Sequence, residues 1–170
     1  FIVFPVMIGL CAVGESLIKS LLGEKWVNSI YYFQVLCLEA MLYPIHAINL
    51  NILQVKGCAN LFLKLEIIKK IVGALFISGA LFFKTGINGL VISAVMVSYI
   101  DYFINAYYSK DLINYSISDQ IRDLYPIFIS SILMGVIDYE LKFLLHFPSI
   151  LVLILQIIFG VLIYVLEGII

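Results

Sequence analysis

Three side chains on one predicted helix could bind an ion or a polar solute inside a membrane. At about 100° per residue, Glu39, Tyr43 and His46 fall within about 60° of one another on a helix predicted over 29–55, and Asn49 lies further along it. An ionisable group in mid-membrane usually faces the bundle interior or a water-filled cavity, because lipid solvates charge poorly. This face is predicted to line a transport path. Structural hydrogen bonding, or a protonated and neutral Glu39, explains the pattern equally well.

Pro44 lies between these side chains on the same predicted helix. Its nitrogen carries no proton to bond the carbonyl of Ala40, so the sequence predicts a kink at this point. Broken helices recur at the substrate sites of transporters. The kink therefore favours a transport path slightly over simple packing.

A charged pair lies closer to the start of the chain. Glu15 and Lys19 are four residues apart with the acid first, which is the order that favours an ion pair within one helix. Mutual neutralisation near the membrane interface is the simpler interpretation, because such pairs are weak indicators of function. The functional alternative is a charge that faces a groove on the substrate path.

Three further carboxylates are predicted to lie near the membrane surfaces. Asp101 comes within about two turns of the end of its helix, and it is expected to snorkel to the interface or to pair with a lysine. Asp138 and Glu140 interrupt an apolar segment and are expected outside the bilayer.

The composition requires that these groups stand on membrane-spanning helices. Hydrophobic residues make up 64% of the chain and charged residues 12%, whereas soluble domains have about 45–50% and about 25%. A chain of 170 residues is too small to hide so much apolar surface in its own interior. The sequence therefore excludes a soluble globular domain, and the lipid bilayer is the expected partner.

Six segments match the roughly 20 apolar residues that one helical crossing needs. No strand-like alternation runs long enough to predict a barrel, so the predicted fold class is all-α, an integral membrane bundle of about six transmembrane helices. The segment over 126–145 is expected to be the shortest or most irregular. The predicted helices cover about 1–22, 29–55, 61–83, 87–108, 126–145 and 149–166, with a polar connection over 109–125.

The distribution of lysine and arginine predicts the orientation of the bundle. Six basic residues fall in or near the connections around 56–70 and 109–125, against four near the opposite membrane face. Because basic residues concentrate on the cytoplasmic side, these two connections are predicted to be cytoplasmic.

The sequence offers little support for other classes of function. The net charge of −1 and the scattered lysines point away from nucleic acid. The three cysteines show no metal-site spacing, and no nucleotide-binding or hydrolase motif occurs. We therefore expect no enzyme, no metal and no cofactor in this chain.

The residues resemble those of the polysaccharide-transport family of flippases, within the multidrug/oligosaccharidyl-lipid/polysaccharide exporter superfamily. The similarity rests on a Pro-x-x-x-Gly-Leu helix at 5–10, a Gly-x-x-Trp turn at 23–26, and a following helix with Pro44 and Asn49. Residues 159–164, Phe-Gly-Val-Leu-Ile-Tyr, resemble the last helix of the family. The chain begins with Phe1, and we interpret it as the C-terminal portion of a longer protein.

The resemblance implies a two-lobe exporter of about 12–14 helices in the bacterial inner membrane, of which this chain supplies the last six. Its implied cargo is a lipid-linked oligosaccharide of the undecaprenyl-pyrophosphate type, moved to the outer leaflet by alternating access. Family members often line their cavity with basic residues, and Lys19 is the clearest basic side chain within the predicted spans. This scarcity departs from the family pattern.

Three alternatives to a flippase remain open at this stage. The first is a cation-coupled multidrug exporter of the same superfamily, which a cargo assay would distinguish. The second is a non-transporting scaffold subunit, in which polar residues serve helix packing alone. The third is a membrane-embedded acyl- or glycosyltransferase, which would need catalytic residues clustered at one membrane face.

Overall fold

The structure is a computed structural model that describes residues 2–144 and 148–167, and this part of the chain is a bundle of helices without strands. A short 3-10 helix over Glu24–Ser29 follows the first of seven α-helices. The α-helices are α1 Val3–Leu21, α2 Ile30–Ala40, α3 Tyr43–Val55, α4 Ala59–Phe82, α5 Gly86–Ile113, α6 Ile117–Leu144 and α7 Ser149–Glu167.

The surface of these helices is that of an integral membrane protein. Large apolar side chains stand exposed along every helix, and Phe82 reaches 81% exposure. Four stretches are long and apolar enough to cross a membrane: Val3–Leu21, Glu24–Val55, Gly86–Ile113 and Ile117–Leu141. Ile150–Val165 is apolar but shorter. The all-α membrane fold predicted from the composition is confirmed.

The chain divides into two compact units. The central unit covers Glu39–Asp123, where α3, α4 and α5 pack against one another. The terminal unit contains the described residues up to Leu38 and those from Leu124 onward, and in it α1 packs against α7. Each unit carries its own polar interior.

The helix predicted over 29–55 is broken in the structure. Met41 and Leu42 separate α2 from α3, and Pro44 occupies the first turn of α3. Proline is tolerated in a first turn because the N–H groups there have no partner within the helix. The interruption predicted at Pro44 therefore falls a few residues earlier, and the proline begins the second helix.

The polar connection predicted over 109–125 is largely helical. Helix α5 continues to Ile113 and α6 begins at Ile117, so only 114–116 lie between them. Asn114 ends α5 with φ at 50°. Ser116 and Asp119 then form a reciprocal cap, in which the backbone N–H of each bonds the other's side chain over 3.1 and 3.2 Å. Polar residues cap these helices rather than prevent them.

The connection is also closed by Tyr115. Its hydroxyl donates to Oδ2 of Asp123 over 2.5 Å, and this hydrogen bond to a carboxylate raises the pKa of Tyr115 to about 12. The bond joins the turn to the second turn of α6, which holds the start of that helix in place.

The segment predicted over 126–145 is not the shortest helix. It lies in α6, whose 28 residues include Pro126 in the interior. Asp138 and Glu140, expected outside the bilayer, both fall within the apolar stretch Ile117–Leu141. Asp138 is only 2% exposed, because it lies on the buried side of α6 with Met134. The predicted endpoints Phe1 and Leu145 lie outside the described residues.

Candidate functional site

Asn49 is the hub of a buried polar cluster in the central unit. Its side-chain amide donates to Oε1 of Gln120 over 2.9 Å, and its Oδ1 accepts from the Ser109 hydroxyl over 3.2 Å. All three residues are at most 3% exposed. One side chain of α3 therefore ties together α5 and the first turn of α6.

Helix α5 supplies one polar face to this cluster. Ser98, Tyr102, Asn105 and Ser109 are buried at spacings of four, three and four residues, which is the period of one helix face. Asn105 donates from Nδ2 to the backbone carbonyl of His46 over 3.1 Å. We call the following residues the central polar cluster: His46, Asn49, Asp101, Tyr102, Asn105, Ser109 and Gln120.

Several polar atoms of the cluster are buried without a hydrogen-bond partner among the described residues. Buried polar atoms are nearly always paired, and an unpaired one costs about 1–3 kcal/mol. Asp101 was expected to snorkel or to pair, yet one of its carboxylate oxygens is among them. The unpartnered atoms are His46 Nδ1, Asp101 Oδ1, the Tyr102 hydroxyl oxygen, Asn105 Oδ1 and Gln120 Nε2.

An ion pair on α4 lies within electrostatic range of the cluster. Lys69 is 6% exposed and is paired with Glu66 three residues earlier. The charges of both residues act on His46 and on Asp101. The cluster therefore combines neutral donors and acceptors with a buried positive group whose charge is matched by a neighbouring carboxylate.

The residues predicted on the path occupy different settings in the central unit. His46 and Asn49 belong to the cluster, whereas Glu39 is half-buried and contributes a backbone carbonyl, which accepts from Ser98 over 3.2 Å. Tyr43 is 63% exposed and meets the His46 ring edge to face at 5.1 Å.

Glu15 and Lys19 lie apart from this cluster in sequence and belong to the terminal unit. The Lys19 ammonium is 2.9 Å from Oε1 of Glu15. Both side chains are about one-third exposed, at 31% for Glu15 and 29% for Lys19. The contact is the ion pair within one helix that their spacing predicts.

Sequence reasoning missed four residues that the fold buries. Asn105 lies in the last turn of the helix predicted over 87–108 and Gln120 in the predicted polar connection, while Asp138 and Lys69 stand among other charges. The burial of Asp138 follows a helical period that the sequence does not reveal, because exposed positions between the buried ones, such as Ile132 and Leu133, are also apolar. Positions 127, 131, 134 and 138 are all buried on α6, at the spacing of one helix face.

The fold and its polar interior define an integral membrane protein of bundled helices. Comparison of the chain with protein-family models, with curated proteins and with solved structures finds no match. The resemblance to the flippase family stands on the sequence motifs alone.

Proposed function

We propose that the chain forms part of a membrane flippase that moves a lipid-linked oligosaccharide across the bacterial inner membrane by alternating access. The observation that carries this proposal is the set of unpartnered polar atoms in the central polar cluster. A cluster selected for packing alone would pair its buried atoms. Unpaired atoms on membrane helices are costly and are retained where function needs them.

The chemistry of these atoms suits a sugar. Asn105 Oδ1 and Asp101 Oδ1 can accept hydrogen bonds, Gln120 Nε2 can donate, and the Tyr102 hydroxyl can do both. Each sugar hydroxyl also both donates and accepts. Because these protein atoms are closed off in the present structure, transport requires a second state in which they open to the cargo.

Two helix interruptions provide places where such a change of state could be accommodated. The chain passes between the two units after Leu38 and after Asp123. The first passage comes just before the break at Met41 and Leu42, and the second just before Pro126 inside α6. Helices bend most readily at such breaks and prolines, which supports a rocking motion.

The Gly-x-x-Trp turn of the resemblance has a physical basis in this fold. Gly23 has φ at 85° and ψ at 175°, a conformation that is almost restricted to glycine. Trp26 follows at 55% exposure, as suits an aromatic residue at a membrane interface. Gly23 thus allows the chain to turn at the end of α1. The proposed cargo rests on the family resemblance and not on this turn.

The proposal is tested with Glu39→Gln and Asn105→Leu in the full-length protein. Flipping of a fluorescent lipid-linked oligosaccharide in proteoliposomes is measured alongside surface polysaccharide in cells. We expect both variants to insert at normal levels and to reduce flipping at least tenfold. Glu24→Gln, which changes an exposed carboxylate in the same way, is the matched control and should leave flipping unchanged.

A scaffold subunit is the second candidate, and the Asn49 hydrogen bonds favour it. Both Nδ2 and Oδ1 of Asn49 are hydrogen-bonded within the central unit, as expected of a residue that serves helix packing. A scaffold predicts that the Glu39 and Asn105 variants change stability while flipping per folded molecule is unaltered. That result would remove the flippase assignment.

A further inference from the structure

The terminal unit contains a cavity bounded by α1, α6 and α7. Its volume is about 440 Å³, within the range of about 300–1,000 Å³ that small-molecule sites occupy. Its wall is mainly aliphatic, with contributions such as Val13 from α1, Met134 from α6 and Val161 from α7. Among the described residues that line it, Asp138 is the one carboxylate. An apolar molecule fits this space, provided that it also carries a group that can hydrogen-bond to the carboxylate of Asp138.

The carboxylate that lines the cavity has an acceptor oxygen with no hydrogen-bond partner among the described residues, and so does the glutamine bonded to its backbone. Asp138 is 2% exposed and Gln156 is fully buried. The Gln156 amide donates to the backbone carbonyl of Asp138 over 2.8 Å, which fixes the two residues next to each other. Oδ1 of Asp138 and Oε1 of Gln156 are then left without a donor among the described residues. Among the described side chains that line the cavity, none carries a positive charge, and Tyr164 supplies the one hydroxyl.

Gly160 lies directly against the carboxylate of Asp138. A methyl group placed on Gly160 would lie 2.7 Å from Oδ2 of Asp138, and the nearest atoms that it meets all belong to that side chain. Any other residue at this position would press on the acid. The absence of a side chain therefore lets α7 pack against the carboxylate without displacing it.

We propose that this cavity binds an apolar primary amine. Its ammonium group donates to the carboxylate of Asp138, and its hydrocarbon body packs against the aliphatic wall. A hard metal ion is a poorer fit, because such ions take about six or more oxygen ligands. An uncharged apolar molecule would leave the buried carboxylate without a partner, which is costly in a membrane. This inference does not depend on the flippase proposal, since it concerns another unit and another ligand.

A pair of matched compounds tests the proposal. 1-Adamantanamine is a compact apolar amine that is protonated at neutral pH, as lysine is, and 1-adamantanol has the same cage with a neutral hydroxyl. Binding of each to the full chain in lipid nanodiscs is measured by titration calorimetry, with empty nanodiscs subtracted. We expect the amine to bind at least tenfold more tightly than the alcohol. Equal binding of the two compounds, or no saturable binding of the amine, overturns the proposal.

Variants assign the binding to this cavity. Asp138→Asn should weaken amine binding at least tenfold and leave alcohol binding unchanged, whereas Asp101→Asn in the central unit should change neither. Unaltered amine binding by Asp138→Asn refutes the site. If that variant fails to fold, Gly160→Ala decides instead, because it keeps the carboxylate but its methyl group forces the carboxylate out of its present position. It should also weaken the amine at least tenfold, and full affinity in Gly160→Ala contradicts the assignment.

Discussion

Replacing Asn49 by alanine removes the hub of the central polar cluster. The substitution deletes the 2.9 Å bond to Gln120 and the 3.2 Å bond from Ser109. The Ser109 hydroxyl still donates to the carbonyl of Ala106 over 3.3 Å, so the loss of its bond to Asn49 costs little. Gln120 loses the partner of Oε1 while its Nε2 is already unpaired. The main cost is therefore a buried amide with neither of its polar atoms satisfied.

The magnitude follows from these two losses. A side-chain hydrogen bond between membrane helices contributes about 0.6 kcal/mol on average and about 1.7 at most. A buried polar group left unpaired costs about 1–3 kcal/mol. We expect Asn49→Ala to lower the free energy of unfolding by about 2–4 kcal/mol, which is about 30- to 700-fold in the equilibrium constant.

Asn51→Ala is the matched control. Asn51 lies two residues away on the same helix α3 but is exposed. Both substitutions bring the same gain in helix propensity, so the difference between them isolates the buried bonds. We expect Asn51→Ala to change the unfolding free energy by no more than about 0.5 kcal/mol.

The assay is reversible unfolding in mixed micelles, followed by circular dichroism, with Gln120→Ala and the double variant completing a cycle. The coupling energy between Asn49 and Gln120 should be about 0.5–1.7 kcal/mol. The reasoning is refuted if Asn49→Ala and Asn51→Ala are equally stable, or if the two cluster substitutions are additive.

Three further predictions concern packing, charge and orientation. Gly135→Ala would place a methyl group 2.5 Å from the Ile8 side chain, whereas Gly79→Ala meets nothing within 4 Å. In the same unfolding assay, the first should destabilise by about 1–3 kcal/mol and the second should be neutral or stabilising. Lys69→Gln should destabilise by about 1–3 kcal/mol because it removes the ion pair with Glu66 and leaves an amide at a position that is 6% exposed, while the exposed Lys70→Gln should be nearly silent. A membrane-impermeant maleimide should fail to label Cys58 in intact cells, and a permeant maleimide should label it, since the α3–α4 connection is predicted to be cytoplasmic.

Each of these has a contrary outcome. Equal stability of the two glycine variants would mean that α1 does not approach α6 closely at Gly135. Equal effects of the two lysine variants would mean that Lys69 is solvated like Lys70. Labelling of Cys58 by the impermeant reagent would reverse the predicted orientation.

Composition, together with the lack of strand-like alternation, determined that this chain is a bundle of membrane helices. An excess of apolar residues in a chain of this size requires contact with lipid, and where no barrel pattern exists the backbone groups in lipid must bond within helices. An interruption near Pro44 was predictable from the local sequence, because proline lacks an N–H, but the structure places the break at Met41 and Leu42. The spacing of Glu15 and Lys19 likewise fixed their ion pair without reference to the rest of the fold.

Only the tertiary structure decided which polar residues are buried together. Asn49 meets Gln120 across 71 positions of the chain, and no local pattern encodes that pairing. Asp138 was placed outside the bilayer because charges beside it suggested a surface. Its burial depends on α7, which brings Gln156 to its backbone and Gly160 to its carboxylate. The local sequence indicates which face of a single helix can be buried. The composition of a site depends on which residues of the neighbouring helices lie opposite that face.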